Sequence, residues 1–196
     1  MIRRSFVYLD TNTFKHLFVS IVRPHLEYAA PVWNPWHKSL ITMIENVQRR
    51  ATKLIPGLYN LSYKERLKHL CLPTLQYRRY RGDMIELYKL SRNLYDEQVV
   101  KGFISFGSRH NSKYPIRSHN LSLYKEKYTR DVRKYTFKCR TVDQWNVLLP
   151  DVIEALTLNE FKNKLDKLWE INDIMYDFEC DFQEIITSTR FTRRKR

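Results

Sequence analysis

Glycine and cysteine are both scarce in this chain, with 4 glycines and 3 cysteines among its 196 residues. The shortage of glycine argues against a strand-rich fold and against the glycine-rich loops that cradle phosphate groups. The cysteines (Cys71, Cys139 and Cys180) are odd in number, and none stands in a C-x-x-C pair. The sequence therefore predicts neither a disulfide framework nor a zinc knuckle, and it is typical of a chain with reduced thiols.

Long apolar runs are also missing. No run approaches the roughly 20 residues that a membrane-spanning helix needs, so we expect no membrane span. Asp10 and Asn12 interrupt the apolar segment that a secretory signal would require near the N-terminus. These features predict an intracellular protein, and its 43% of hydrophobic residues is enough to form a core.

Acidic residues are in the minority, because 35 Lys and Arg face 21 Asp and Glu, which gives a formal charge of +14. Residues 1–150 carry 27 basic and 11 acidic side chains. Such an excess predicts nucleic acid or an anionic membrane surface as partner, and of the two we expect nucleic acid and no membrane. Residues 170–186 reverse the pattern, with 6 acidic residues and no Lys or Arg. We expect this stretch to be a solvated tail, with folding over the basic surface as the alternative.

Hydrophobic spacing predicts a mainly α fold. Asp10 or one of the next three residues caps a helix whose apolar side chains recur every three to four residues until Pro24 kinks or ends it. A second helix spans about residues 39–55, with Thr42 and Glu45 at capping-box spacing. On its wheel, one face is apolar and is expected to be buried: Leu40, Ile41, Ile44, Val47, Ala51, Leu54 and Ile55.

Further signals place the remaining elements. Ser62-x-x-Glu65 opens a third helix, and Thr74 caps a fourth that reaches about Tyr95. Alternation over 121–123 and 132–136 predicts two paired strands, followed by helices over about 136–148 and from Thr157 onward. The predicted organisation is a helical domain over 1–95, a loop or linker over 96–120, a small α+β subdomain over 121–170 and a disordered tail over 171–196, first acidic and then basic.

No arrangement of residues predicts catalysis. A metal-dependent polymerase or nuclease needs two or three carboxylates that converge on divalent ions, and the sequence has no Asp-Asp pair. His69 and Cys71 are spaced as metal ligands, but no second pair accompanies them. We therefore predict no catalytic residue, no metal site and no cofactor.

Basic helix faces give the stronger functional signal. Lys and Arg neutralise phosphate groups, while neighbouring aromatic rings stack on bases or sugars. The pattern offers three rows of cations, and their alternative interpretation is a solvated face that keeps the protein in solution. The candidate nucleic-acid-binding residues are Arg49, Arg50, Lys53, Arg78, Arg81, Lys89, Arg92, Arg133 and Lys134. The third row also includes Arg130, Lys138 and Arg140.

Several motifs follow one another in the order known from one family. They are VRPHLEYA (22–29), VWNP (32–35), IENVQRRATKLIPG (44–57), LPTL (72–75), RRYRGD (78–83), WNVLLP (145–150) and FKNKLD (161–166). Over about residues 2–169 the chain resembles the region after the polymerase core in reverse transcriptases of LINE-type (non-LTR) retrotransposons, notably jockey-like elements. It departs from the family pattern at Cys71, where glycine is common, and at Ser118, in a stretch that often reads Arg-Gly-His.

The resemblance implies a fold and a function. The chain would be the helical thumb and the smaller C-terminal region of an RNA-directed DNA polymerase, which grips the template–primer duplex or the element RNA. The family's Asp-Asp polymerase signature, endonuclease and zinc knuckle are all absent here, so the missing polymerase core would be a partner. Trp33, Trp145 and Trp169 are expected to anchor the core.

Two alternatives belong to other classes of protein. The chain could be a non-functional remnant of a mobile element, which would lack a cooperative unfolding transition. It could also be an autonomous basic protein that binds DNA or RNA with a preferred sequence. In that case the run from Arg193 to Arg196 would act as a nuclear signal. Both the family resemblance and this run predict a nuclear protein.

Overall fold

The computed structural model describes residues 9–105, 121–170 and 175–180. The regular secondary structure in these ranges is helical, so the predicted mainly α class is confirmed. The predicted strand at 132–136 is wrong, because a short helix forms at Asp131–Lys134. Within the described ranges, no helix combines the length and the apolar character needed to cross a bilayer.

Two compact units make up the chain. The first contains Met1–Tyr80 with Asp173–Cys180, and the second contains Arg81–Asn172 with Asp181–Arg196. The division therefore falls inside a helix and not at the predicted boundary near residue 95. Residues 175–180 belong to the first unit, whereas a disordered tail was expected from residue 171. The rest of that tail, over 171–174 and 181–196, and most of the predicted loop, over 106–120, lie outside the described residues.

The first unit is built from short helices and two longer ones. In chain order its elements are α1 (Thr11–Leu17), a π-helical segment (Phe18–Val22), α2 (Arg23–Glu27), α3 (Ala30–Trp33), α4 (Lys38–Thr52), α5 (Tyr63–Leu70) and the first part of α6 (Leu75–Ser91). The helix ends follow the sequence signals. The Asp10 carboxylate accepts hydrogen bonds from the amides of Asn12 and Thr13, and Ser62 and Glu65 form the predicted capping box.

The core of the first unit gathers apolar side chains from α1, the π-helical segment, α5 and the turns around them. Its buried members are Leu9, Phe14, Phe18, Ile55, Leu58, Leu67, Leu70 and Leu72. Trp33 lies outside this core, with 39% of its surface exposed, so its predicted role as a core anchor is wrong. Instead, the Trp33 indole donates to the Tyr28 carbonyl at 2.6 Å.

Helix α4 buries only part of the face that its hydrophobic pattern predicts: Ala51 and, just after the helix, Leu54 pack against the core, but the most buried side chains of the helix are polar. Glu45, Gln48 and Thr52 are buried, whereas Leu40 and Val47 are 43% and 40% exposed. Glu45 lies in the middle of the helix, so it does not form a capping box with Thr42. A buried polar face requires partners for every polar atom, and residues far along the chain supply them.

The second unit contains the rest of α6, then α7 (Glu97–Val100), α8 (Asp131–Lys134), α9 (Phe137–Arg140), α10 (Val142–Val147), α11 (Pro150–Ile153) and α12 (Leu158–Glu170). Trp145 and Trp169 are buried as predicted. The Tyr88 ring stacks on Phe161 with centroids 4.3 Å apart. The Asn146 side chain accepts from the Leu123 amide and donates to its carbonyl, at 2.8 and 2.9 Å, and so pairs with the backbone of that residue.

Candidate nucleic-acid interface

The end of α4 and the residue after it present two free cations. Arg50 and Lys53 are exposed, and neither side chain makes a hydrogen bond or ion pair with any described residue. Three positions apart, they are neighbours on the helix surface. Charged side chains without a protein partner can neutralise phosphate groups at no cost in protein contacts. These two residues therefore fit the role that the sequence predicts for them.

Arg49 lies beside them but is held differently. Its guanidinium carbon is 5.1 Å from the ring centroids of both Tyr63 and Phe178. Its Nε is buried and has no hydrogen-bond partner among the described residues. Arg49 is thus engaged by two aromatic rings, an arrangement that stabilises a cation through the ring quadrupoles.

Arg78, in the first unit, is paired with a carboxylate. Its Nε and Nη2 donate to the two carboxylate oxygens of Glu27 on α2, the second of these bonds at 2.9 Å. Arg23 approaches the same carboxylate at 3.6 Å. A bidentate pair of this kind has to open before Arg78 can bind a phosphate.

The other cations predicted on α6 and just after it lie in the second unit and are also engaged. Arg81 makes a bidentate pair with Asp166 on α12, at 2.5 and 2.7 Å. Lys89 donates to Glu86 at 2.7 Å. Arg92 follows α6, and its Nη2 donates to the carbonyls of Ile153 and Ala155, at 2.9 and 3.2 Å. The first of these contacts satisfies a carbonyl at the end of α11.

The third row is divided among several partners. Arg133 and Lys138 donate to the two carboxylate oxygens of Glu126, at 2.8 and 2.5 Å. Lys134 lies 5.1 Å from the ring centroid of Tyr135. Arg140 donates two hydrogen bonds to the buried carboxylate of Asp83, at 3.1 and 2.9 Å. The sequence-based prediction did not separate engaged cations from free ones, because most of these partners lie far from the cations along the chain.

A buried polar cluster in the first unit escaped the sequence-based prediction. Glu45 accepts from the Tyr63 hydroxyl at 2.5 Å and from the backbone amides of Leu75 and Gln76 at 3.0 and 3.3 Å. Gln48 Nε2 donates to the Pro73 carbonyl at 3.0 Å and to the Tyr63 hydroxyl at 3.2 Å. The carboxylate therefore satisfies amides at the start of α6, which have no partner within the helix.

Burial changes the titration of both acidic groups in this cluster. Desolvation raises the pKa of Glu45, although the hydrogen bonds from Tyr63 and Leu75 act against it. Burial, followed by the negative charge of Glu45, raises the pKa of the Tyr63 hydroxyl well above its ordinary value. The cluster links three helices, because Glu45 lies on α4, Tyr63 on α5 and the two amides at the start of α6.

Metal chemistry has no candidate site in this part of the chain: over 9–105, 121–170 and 175–180, no three His, Cys, Asp or Glu side chains are grouped to hold an ion. Comparisons with protein-family models, curated proteins and solved structures gave no match.

Proposed function

We propose that this chain is the thumb and C-terminal region of a LINE-type reverse transcriptase, and that it grips a nucleic-acid duplex in the nucleus without catalysing a reaction itself. The ordered sequence motifs support the family. The exposure of Arg50 and Lys53 carries the binding role, because these cations lie within the longest motif (44–57) and are free to bind phosphate groups. The missing polymerase core would supply the catalytic carboxylates.

The proposed interface is smaller than the one that the sequence predicts. We do not propose as primary phosphate ligands the cations that are engaged in contacts within the protein: Arg78, Arg81, Lys89, Arg92 and Arg133. The primary contacts are assigned to Arg50 and Lys53. Binding through phosphate groups predicts affinity that falls with salt, by about 0.9 logarithmic units per tenfold change in salt for each phosphate neutralised on duplex DNA.

The test measures binding of the full chain to an RNA–DNA duplex between 50 and 300 mM KCl. Changing Arg50→Gln together with Lys53→Gln should weaken binding about tenfold at 100 mM KCl and lower the salt slope by about 2. The matched control, Lys89→Gln with Arg133→Gln, removes the same charge from engaged cations and should change affinity less than about twofold. Equal losses in both double variants, or binding that does not respond to salt, would refute the assignment.

Two other results would favour the alternative functions. A chain that unfolds without a cooperative transition would be a decayed remnant. A chain that prefers one duplex sequence over random competitors by 10³-fold or so would be a sequence-specific regulator, because a thumb contacts the backbone of any duplex.

A further inference from the structure

Residues 175–180 pack against the first unit although they come from the acidic stretch of the chain. The Thr74 amide donates to the Met175 carbonyl at 2.9 Å. Tyr176 packs against the apolar core of the unit. These contacts place the segment, here named the acidic segment (175–180), beside α4 and α5.

The acidic segment contacts two cations directly. Asp177 accepts from Lys64 on α5 at 3.4 Å. The Phe178 ring lies 5.1 Å from the Arg49 guanidinium and meets the Tyr63 ring edge-on, with the centroids 6.2 Å apart. The Asp177 carboxylate also accepts from the Glu179 amide at 3.1 Å, which fixes the turn that presents it.

Arg49 is next to the free cations of α4. Residues four apart on a helix lie on the same face, so Arg49 and Lys53 belong to one row, with Arg50 beside it. The acidic segment thus holds the cation that would extend the Arg50–Lys53 surface. The Asp177 carboxylate, which pairs with Lys64, takes the position from which a phosphate group would contact that cation.

We infer that the acidic segment is an intramolecular competitor of nucleic acid. When it is docked, Phe178 and Asp177 occupy Arg49 and Lys64; when a duplex binds, the segment leaves and both cations join Arg50 and Lys53. This inference rests on the proposed function. Its energetic basis is that a tethered competitor multiplies the intrinsic affinity by the fraction of molecules in which it is undocked, so a segment that is mostly docked weakens binding strongly.

The first experiment removes the docking contacts. The double variant Asp177→Asn with Phe178→Ala should bind the RNA–DNA duplex about tenfold more tightly than the unchanged chain, which corresponds to a segment docked in about nine molecules of ten. Glu179→Gln is the matched control, because it removes one negative charge from the exposed side of the segment without touching Lys64 or Arg49. It should tighten binding less than about twofold.

The second experiment follows the segment itself in the unchanged chain. By reciprocity, a ligand that the segment excludes must release the segment. Saturating duplex should speed hydrogen exchange at the Thr74 amide about tenfold, since its acceptor is Met175. The Gln76 amide donates to Glu45 and is the control. Its exchange rate should not change, which would show that the unit itself remains folded.

The outcomes separate the two claims. If the unchanged chain binds no duplex at 50 mM KCl, the proposed function fails and the competitor role fails with it. If the chain binds duplex but the double variant Asp177→Asn with Phe178→Ala binds no more tightly than Glu179→Gln, the competitor role alone is overturned. The same holds if saturating duplex leaves the exchange rate of the Thr74 amide unchanged. In either case the segment is a structural part of the unit.

Discussion

The Tyr63 hydroxyl on α5 donates a 2.5 Å hydrogen bond to the buried carboxylate of Glu45 on α4. Glu45 also accepts hydrogen bonds from the first two amides of α6, so this one side chain connects α4, α5 and α6. Gln48 completes the cluster by donating to the same hydroxyl. Each buried polar group depends on the others, since a group left without its partner keeps the full cost of its desolvation.

Removing the hydroxyl tests this dependence. Tyr63→Phe keeps the ring that contacts Arg49 but deprives Glu45 of a donor, and it should lower the free energy of unfolding by about 1–3 kcal/mol. Urea denaturation followed by tryptophan fluorescence gives the value. Tyr59→Phe is the control, because Tyr59 is 62% exposed, and this variant should stay within about 0.5 kcal/mol of the unchanged chain. Equal effects at both positions would show that the cluster contributes nothing specific.

The raised pKa of Glu45 predicts a pH dependence of stability. The folded state keeps the proton of this carboxyl above the ordinary pKa of 4.5, so the folded state binds more protons there than the unfolded state does. The free energy of unfolding should therefore decrease as the pH rises from 4.5 through the folded pKa. Glu45→Gln should flatten that decrease in denaturation series between pH 4.5 and 7.5.

Glu65, in the same unit, should make stability depend on pH in the opposite direction. Its hydrogen bonds with Ser62 lower its pKa, so its contribution is present above pH 4.5 and is lost as the pH falls through the folded pKa. Glu65→Gln should lower stability chiefly above pH 4.5 and have little effect in strong acid, where the contribution of Glu65 is already lost. If Glu45→Gln behaved in the same way as Glu65→Gln, the assignment of a raised pKa to Glu45 would be incorrect.

A buried ion pair in the second unit predicts a large loss of stability when one partner is removed. Arg140 Nε and Nη2 donate to the Asp83 carboxylate at 3.1 and 2.9 Å, and the Asp83 side chain is 1% exposed. Arg140→Leu removes these donors from a buried charge and should lower the free energy of unfolding by about 3 kcal/mol. Arg133→Leu should leave stability nearly unchanged, because its pair with Glu126 is open to solvent. A thermal melt of each variant measures the difference, and similar melting temperatures would contradict the prediction.

Cys71 predicts a stabilising substitution. It follows α5 with φ +50° and ψ +40°, the left-handed conformation that ends many helices, and the Leu72 amide returns to the Leu67 carbonyl at 3.0 Å. A side chain in this conformation costs about 1 kcal/mol, so Cys71→Gly should raise the free energy of unfolding by up to about that amount. Cys71→Ala removes the thiol but keeps the strain and should change little. A gain in the alanine variant equal to that of glycine would trace the effect to the thiol.

The sequence predicted structure that depends on neighbouring residues better than contacts between residues far apart in the chain. The cap at Asp10 and the capping box of Ser62 and Glu65 depend on residues within three positions, and both form as predicted. The burial of Glu45 depends on Leu75 and Gln76, which lie 30 and 31 positions away. Hydrophobic periodicity contains no information about such partners, so it predicted the burial of Ile55 correctly but missed the burial of Glu45, Gln48 and Thr52.

The prediction of the candidate interface failed for the same reason, because it could not include partners from distant parts of the chain. Arg81 and Asp166 are 85 positions apart, and Arg78 and Glu27 are 51 apart, so a helical wheel shows each arginine as an unpaired cation. Arg50 and Lys53 look identical to them in sequence. Only tertiary packing distinguishes a cation that closes an ion pair from one that faces solvent.

Glu45 binds the main chain of residues 75 and 76, and that choice of partner has a genetic consequence. Every amino acid except proline supplies a backbone amide, so at position 76 nearly any codon change preserves the donor, while a proline codon abolishes it. At position 45 no such tolerance exists, because the acceptor is the side chain itself. Random mutagenesis scored by folding in cells should thus recover many replacements of Gln76 and few of Glu45.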